Sequence, residues 1–421
     1  MLKKIAVDQL RLGMHVHKLE AKWIDHSFWK TRFVLDSTDD MRRLHGSGVA
    51  ECWIDVALGL DVATPVEATA ETAAGTQGAV SLPLSAAPAA PAAPAAAPPA
   101  ERPLSAEMRQ AAEICKRGRE AVVALFSEAR MGRSLDAEGC MPLIDEITGS
   151  VQRNPGALVS LARLKSKDDY SYMHSVAVCA LMVALARQLG LDEAGCRQAG
   201  LAGLLHDLGK AVMPLDVLNK PGKLTDAEYT IIQSHPERGY ELLADAQGAG
   251  PEVLDVVLHH HERFDGKGYP HKLPGEQISL LARMGAICDV YDAITSNRPY
   301  KVGWDPAESI AKMAAWKGQF DETLFAAFVQ SLGIYPTGSL VRLGSSRLAV
   351  VVEQNPRNLV APVVKAFFSV KSQMRITPLR LDLSDKGSND RIVGRHADEA
   401  NSFGRLEELW ADPELLRRLH R

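Results

Sequence analysis

Between Asp61 and Pro103 the chain loses its large apolar residues and turns to Ala, Pro, Thr and Gly, ending in SLPLSAAPAAPAAPAAAPPAERP. Such a stretch buries too little to offset its ordering entropy, and prolines at this density exclude a helix and favour extended polyproline conformations. We read 61–103 as a flexible linker, so folding divides into a small unit at 1–60 and a longer part from residue 104 onward. Only the longer part can bury a sizeable core.

The small unit offers short apolar runs at Lys30–Leu35 and Glu51–Val56, which predict strands, around one helix near Asp39–Leu44. Trp23, Trp29 and Trp53 are anchors for a core or an interface, and His15 and His17 alternate on a strand with no third metal ligand beside them. After the linker, 104–165 is a helical segment that begins with one amphipathic helix from Leu104 to Arg130, and helical patterns run on to about Phe328. From Gly338 to Val370 the pattern changes to alternation around turn residues, which predicts a β-meander. The tail RLEELWADPELLRRLHR predicts one short terminal helix.

The net charge of -4 gives no global attraction to nucleic acid or to an anionic membrane, so an anionic ligand needs a local basic cluster. No apolar run reaches the roughly 18 residues of a membrane span. The six cysteines stand singly, without a CxxC pair, as in a reducing compartment, and we expect a cytoplasmic protein.

Seven of the thirteen histidines fall between positions 174 and 271. His174 opens the apolar helix SVAVCALMVALARQLG, which Gly190 ends, and a helix apolar all round is a buried one. In LAGLLHDLGK, His206 and Asp207 close an apolar helical run, and Lys210 projects from the same side. His235 follows a helix opened by a Thr225–Glu228 capping box. Pro251 starts a helix on which Val253, Val257, His260 and His261 share a face. Asp289 stands on a stripe with Ala282, Ala286 and Ala293. Any one of these alone is more often a satisfied core residue than a ligand. Together they place imidazoles and carboxylates at the interior ends of successive helices, where unpaired charges are costly and a metal ion resolves the cost. Such ligands suit Fe, Mn or Zn, and six or seven of them exceed one tetrahedral site, which favours two metals. Lys210 is left to meet phosphate or water.

LLHDLGK, with His174 before it and Asp289 after it, resembles the HD phosphohydrolase superfamily, and HHERFDGKGYP narrows the resemblance to its HD-GYP branch. LNKPGKLTDAEY, HPERGYELL and DVYDAITSNRPYK are similar to the same family, over about Asp168 to Phe328. The N-terminal segment resembles a domain of unknown function often found ahead of HD-GYP domains. The resemblance implies an HD-type helical bundle as catalytic domain at 166–332; with the strand and helix patterns on either side of it, the expected fold is mainly α, with a small α/β N-terminal domain as candidate input or docking module and a short C-terminal β-meander with a tail at 333–421. It implies a cyclic di-GMP phosphodiesterase with two divalent metals, iron or manganese, on His174, His206, Asp207, His235, His260, His261 and Asp289, with Asp207 bridging. In the branch with a third metal a Glu stands four residues before the first His. Here that position is Tyr170, which argues for two metals, although Asp168 or Asp169 stand close by. Asp207 and Lys210 are the catalytic candidates, Lys210 for the phosphoryl charge or the departing ribose oxygen.

On the substrate side the resemblance points to Tyr269 for guanine or phosphate and to Arg298 and Lys301 for phosphate, with Arg263, Gly268 and Asp292 completing the set. Asp292 is expected to support a ligand or cap a helix rather than coordinate. Arg263 and Arg283 read equally well as surface salt bridges, and His259 lies outside the ligand pattern. Two other readings stay open: a receptor that binds metal and dinucleotide with negligible turnover and signals through protein partners, and an enzyme for another cyclic dinucleotide such as 3′,3′-cyclic GMP-AMP; the N-terminal domain is where a homo-oligomer or signalling partner is expected. No DNA or RNA partner is expected.

Overall fold

The computed structural model describes residues 2–19, 33–35, 38–45, 51–61, 104–164, 170–220, 222–297, 303–385, 387–388, 390–396, 402–412 and 414–416. The chain divides into two compact units, Met1–Ala100 and Glu101–Arg421.

In the first unit, strands β1 (Leu2–Ala6), β2 (His15–Leu19), β3 (Phe33–Val34) and β4 (Glu51–Asp55) form an antiparallel sheet in the order β1-β4-β2-β3, with helix α1 (Thr38–His45) between β3 and β4. Alternation along β1 and β4 turns Ile5, Cys52 and Ile54 inward, where they meet Val7, Leu10, Met14, Val16 and Leu35. The strand expected at Lys30–Leu35 is described only as Phe33–Val34. Trp23 and Trp29 lie outside the described residues, whereas Trp53 stands on β4 opposite Lys4.

The second unit opens with α2 (Leu104–Arg130), amphipathic as its spacing predicts: Met108, Ala111, Ile114, Cys115, Val122, Leu125 and Phe126 are buried. It packs with α3 (Met141–Arg153) and α4 (Pro155–Ala162) against α5 (Tyr170–Gln188). Between α2 and α3 the buried Glu107 carboxylate takes two hydrogen bonds of 2.9 Å from Arg153 and one of 2.9 Å from Ser150, the partners without which a charge at such depth would not survive. Helix α5 is buried on every side from Met173 to Ala186 and ends at Gly190, whose φ of 79° suits the left-handed turn there. His174 is not at the head of that helix, as expected from the apolar run. The helix begins at Tyr170, because its first turn includes the polar YSYM segment, so His174 lies in the second turn.

Helix α6 (Glu193–Leu205) is capped by Asp192 and packs along α5. A 3-10 turn (Leu208–Val212), α7 (Leu215–Leu218), α8 (Asp226–Gln233), α9 (His235–Leu243), α10 (Pro251–His259), α11 (Leu280–Thr295), α12 (Pro306–Ala315) and α13 (Glu322–Leu332) complete the helical part. Gly209 lets the 3-10 turn lie against the start of α9, since a Cβ there would overlap the His235 carbonyl.

The C-terminal part is an antiparallel sheet of β5 (Leu340–Leu343), β6 (Arg347–Glu353), β7 (Val363–Ser369), β8 (Met374–Asp382) and β9 (Ile392–Arg395), in the order β8-β7-β6-β5-β9. The first four form the expected meander, but the sheet extends beyond Val370, and β9 returns to pair with β5. The tail is not a single helix. A 3-10 turn ends at Leu409 and residues 410–412 are not helical; Pro413 disfavours helical backbone in Asp412, which separates the two halves of the tail.

Candidate metal centre

The site assembles from helix ends. His206 caps the C-terminus of α6 and Asp207 precedes the 3-10 turn; His235 is the first residue of α9; His260 caps α10, and His261 follows it. His174 and Asp289 come from the bodies of α5 and α11. His174, His206, Asp207, His235, His260 and Asp289 are buried.

The imidazoles are oriented from behind. The Nδ1 atoms of His206 and His235 lie 2.8 Å from the Gly203 carbonyl and 2.7 Å from the Ile232 carbonyl. His260 Nδ1 lies 3.1 and 3.0 Å from the carbonyls of Val256 and Val257. A carbonyl only accepts, so each Nδ1 carries the hydrogen and each Nε2 of a neutral ring presents a lone pair to the interior. His174 Nδ1 donates instead to Asp292 Oδ2 at 2.6 Å, while its Nε2 lies 2.9 Å from Asp289 Oδ1.

These inward atoms converge on Asp207. Its Oδ1 is 3.2 Å from His235 Nε2 and 3.8 Å from His260 Nε2. Its Oδ2 is 3.3 Å from His206 Nε2 and 3.5 Å from His174 Nε2. Asp289 Oδ2 is 3.6 Å from His261 Nδ1. Among the described residues two groups therefore have metal-ligand geometry, Asp207 with His235, His260 and His261, and Asp207 with His174 and His206, each with ligand atoms within 4.8 Å of one another. Asp207 belongs to both.

The electrostatics favour a cation. His235 and His260 bring their Nε2 atoms to 3.3 Å, two lone pairs facing each other. Buried His206 Nε2 and Asp207 Oδ1 have no hydrogen-bond partner. Burial holds the His235, His260 and His261 rings below the usual imidazole range, His261 at about 3, so protons do not relieve the repulsion. Burial opposes ionisation of Asp207, yet Lys210 and His206 beside it hold its carboxyl well below the usual range. For Asp289 burial acts the same way, and the neighbouring His174 and His261 rings overcome it. Neutral imidazoles and ionised carboxylates form the donor set that binds divalent transition metals. Two buried His/Asp clusters sharing one carboxylate are consistent with a dinuclear site.

Lys210 Nζ donates to Asp207 Oδ2 at 2.6 Å and stays partly exposed. Tyr269 stacks on His261 with ring centroids 4.7 Å apart. Gly268 is needed where it stands: a Cβ would overlap the backbone of His261, Glu262 and Arg263. Arg263 forms a two-pronged pair with Asp265 at 3.0 and 2.8 Å. Asp292 is buried behind His174, with Ser296 Oγ donating to its other oxygen at 3.2 Å. Arg283 pairs with Asp321 at 2.7 Å. Arg298, Lys301, Asp168, Asp169 and the Tyr170 side chain lie outside the described residues, and His15 and His17 join no metal-ligand group among those described.

Sequence reasoning gave no role to Glu262. It is buried, and its carboxylate accepts from the backbone N–H groups of His271 at 2.6 Å and Leu273 at 3.1 Å, so it fastens the loop that carries Tyr269. The one available signal was its position directly after two ligand candidates. His259 points away from the centre, to Asp255 at 2.8 Å and His271 at 3.0 Å.

Comparison with known proteins adds the family context. The family described as HD domain matches residues 154–324, and a domain of unknown function, DUF3391, matches residues 2–140. A cyclic di-GMP phosphodiesterase of Pseudomonas aeruginosa is 53% identical over 411 residues, which cover 97% of this chain and 96% of that protein. The cyclic di-GMP phosphodiesterase response regulator RpfG of Xanthomonas campestris is 46% identical over 136 residues, 32% of this chain and 36% of that protein. A 3′3′-cGAMP-specific phosphodiesterase of Vibrio cholerae is 32% identical over 203 residues, 48% of this chain and 46% of that protein.

Proposed function

The chain belongs to the HD-GYP family of HD-domain proteins, and from that premise we propose that it is a phosphodiesterase that hydrolyses cyclic di-GMP to linear pGpG, with further cleavage to GMP left for product analysis to decide. The observation that carries this reading is Asp207 shared between the two buried ligand groups, which would let one carboxylate serve two cations. His174, His206, His235, His260, His261, Asp207 and Asp289 would hold iron or manganese. When bound, the two ions supply charge neutralisation for a phosphoryl oxygen and make a nearby water more acidic.

The chain's own residues do the rest. Lys210, anchored on Asp207 and partly exposed, sits where charge develops on the phosphoryl group, and it is the candidate donor to the departing ribose oxygen. Tyr269, stacked on His261 and held neutral by burial, offers a ring face to guanine and a hydroxyl to phosphate. Asp292 keeps His174 in the tautomer that presents Nε2 inward. Arg298 and Lys301 are proposed phosphate contacts on the family pattern. The catalytic domain spans 166–332, and the unit at 1–60 serves as input or docking module. We place the reaction in the cytoplasm: the six cysteines are unpaired and buried, and no described helix is long and apolar enough to cross a membrane.

The test is hydrolysis of cyclic di-GMP by chain loaded anaerobically with Fe(II) or Mn(II), beside a His206→Ala/Asp207→Ala variant and with 3′,3′-cyclic GMP-AMP as comparator. Turnover of cyclic di-GMP in the wild type and none in the variant is expected. Binding of metal and dinucleotide without product would replace the enzyme by a receptor.

A further inference from the structure

The loop that follows His261 is fastened largely through its own backbone. Tyr269 N–H donates to the His261 carbonyl at 3.2 Å, Gly275 N–H to the Phe264 carbonyl at 2.9 Å, and Glu262 holds the N–H groups of His271 and Leu273. A chain of side chains then leads out of this loop to the helices behind it. His271, two residues beyond Tyr269, meets His259 on α10, its Nδ1 lying 3.0 Å from His259 Nε2. His259 Nδ1 donates in turn to Asp255 Oδ1 at 2.8 Å, one turn earlier on α10, and the other oxygen of Asp255 accepts from Ser279 Oγ. Ser279 caps α11, accepting from Ala282 N–H at 3.1 Å. The Tyr269 loop is thus tied to α10, which leads into His260 and His261, and to α11, which carries Asp289 and Asp292.

His271 is exposed, and Asp255 and His259 are half-buried, so this chain covers little apolar surface and adds little to the core. What it fixes is direction. A carboxylate only accepts, so Asp255 keeps the His259 hydrogen on Nδ1 and turns Nε2 toward His271. A ring held at both nitrogens cannot turn without breaking a bond, and the segment from Tyr269 to His271 is held with it. We propose that His259 is a positioning residue for substrate: through His271 it sets where the Tyr269 ring stands on His261, and so where that ring meets guanine. The role rests on the reading of Tyr269 as a substrate contact. Guanine is remote from the bond that breaks, so a misplaced ring weakens substrate and transition state alike, which raises KM and spares kcat.

The test is steady-state hydrolysis of cyclic di-GMP by the Mn(II)-loaded full chain, beside His259→Ala, His271→Ala and Tyr269→Ala and the two doubles that add Tyr269→Ala to each histidine change. KM is expected to rise about tenfold in His259→Ala and in His271→Ala, with kcat within about twofold of wild type and bound Mn(II) unchanged. In the Tyr269→Ala background neither histidine change should raise KM further, because the ring they position is gone. A purely structural role would add its effect there as well. Additive effects on KM overturn the proposal, as does loss of Mn(II) in His271→Ala or a fall in kcat with KM unchanged. Where His259→Ala does not fold, His271→Ala, an exposed loop position, decides by the same readings. If the wild type binds cyclic di-GMP without turnover, the enzyme reading fails alone and Kd replaces KM in the same comparison. If it does neither, the substrate reading and this role fall together.

Discussion

At the scale of single residues, the centre depends on which nitrogen of each imidazole carries its proton, and those protons are set from behind. Asp292 is the charged one of these orienting partners, 2.6 Å from His174 Nδ1. Asp292→Asn keeps the shape but can present an amide N–H to that nitrogen, favouring the wrong tautomer. We expect metal affinity to fall about 10- to 100-fold, read by metal analysis after dialysis against graded Mn(II). Lys210 contributes differently, because it touches Asp207 without belonging to the ligand set. Lys210→Ala should leave two metals bound and lower kcat about 100- to 1,000-fold, the scale of losing one donor aimed at developing charge. Unchanged turnover in that variant would remove Lys210 from the mechanism. Of these roles, the ligands could be read from residue type and spacing. The orienting partners of His206, His235 and His260 could not, since they are backbone carbonyls that any sequence offers.

At the scale of elements, helix termini aim the side chains, so caps and close approaches bear on function. The Thr225–Glu228 capping box, expected from the sequence, starts α8, and α9 with His235 follows directly. Thr225→Ala should cost about 1 kcal/mol in urea unfolding and leave the metal stoichiometry unchanged, since the cap lies a full helix away from His235. Gly209→Ala should do the reverse of a mild change. It forces the 3-10 turn away from α9, separating Asp207 from His235, so both stability and metal binding fall together. The sequence patterns placed α2 and α8 well because each carries its own cap or periodicity, but they ran α10 too far: it ends at His259, with His260 as its cap and His261 beyond it. They misplaced the start of α5 and the closing strand β9. The first turns of α5 have no apolar stripe to announce them, and β9 is four residues whose strand state comes from pairing with β5.

At the scale of the whole molecule, the cost of gathering buried imidazoles and carboxylates makes stability depend on metal and pH. A chelator should lower the melting temperature, and Mn(II) should restore it; an ion at about 100 times its Kd adds about 2.7 kcal/mol. In the metal-free chain, His235, His260 and His261 have folded pKa values below their unfolded ones, so between about pH 6.5 and the folded values the unfolded chain binds more protons. Stability should therefore fall as pH drops below about 6.5. The depressed carboxyls of Asp207 and Asp289 act with the same sign at lower pH, their contribution being present above about pH 4 and lost below it. Melting curves of the metal-free chain from pH 7.5 to 4.5 check this, and a flat profile would mean the rings are already protonated in the fold. The sequence by itself determined that helices would carry His and Asp at their ends and that a small strand-containing unit would precede a proline-rich segment, because periodicity, caps and residue chemistry are local; the HD-GYP ligand set came from resemblance. The tertiary structure alone decided that Asp207 stands in both ligand groups and that Asp292 backs His174 from α11. These depend on distances between elements far apart in the chain, which packing sets and no local pattern records.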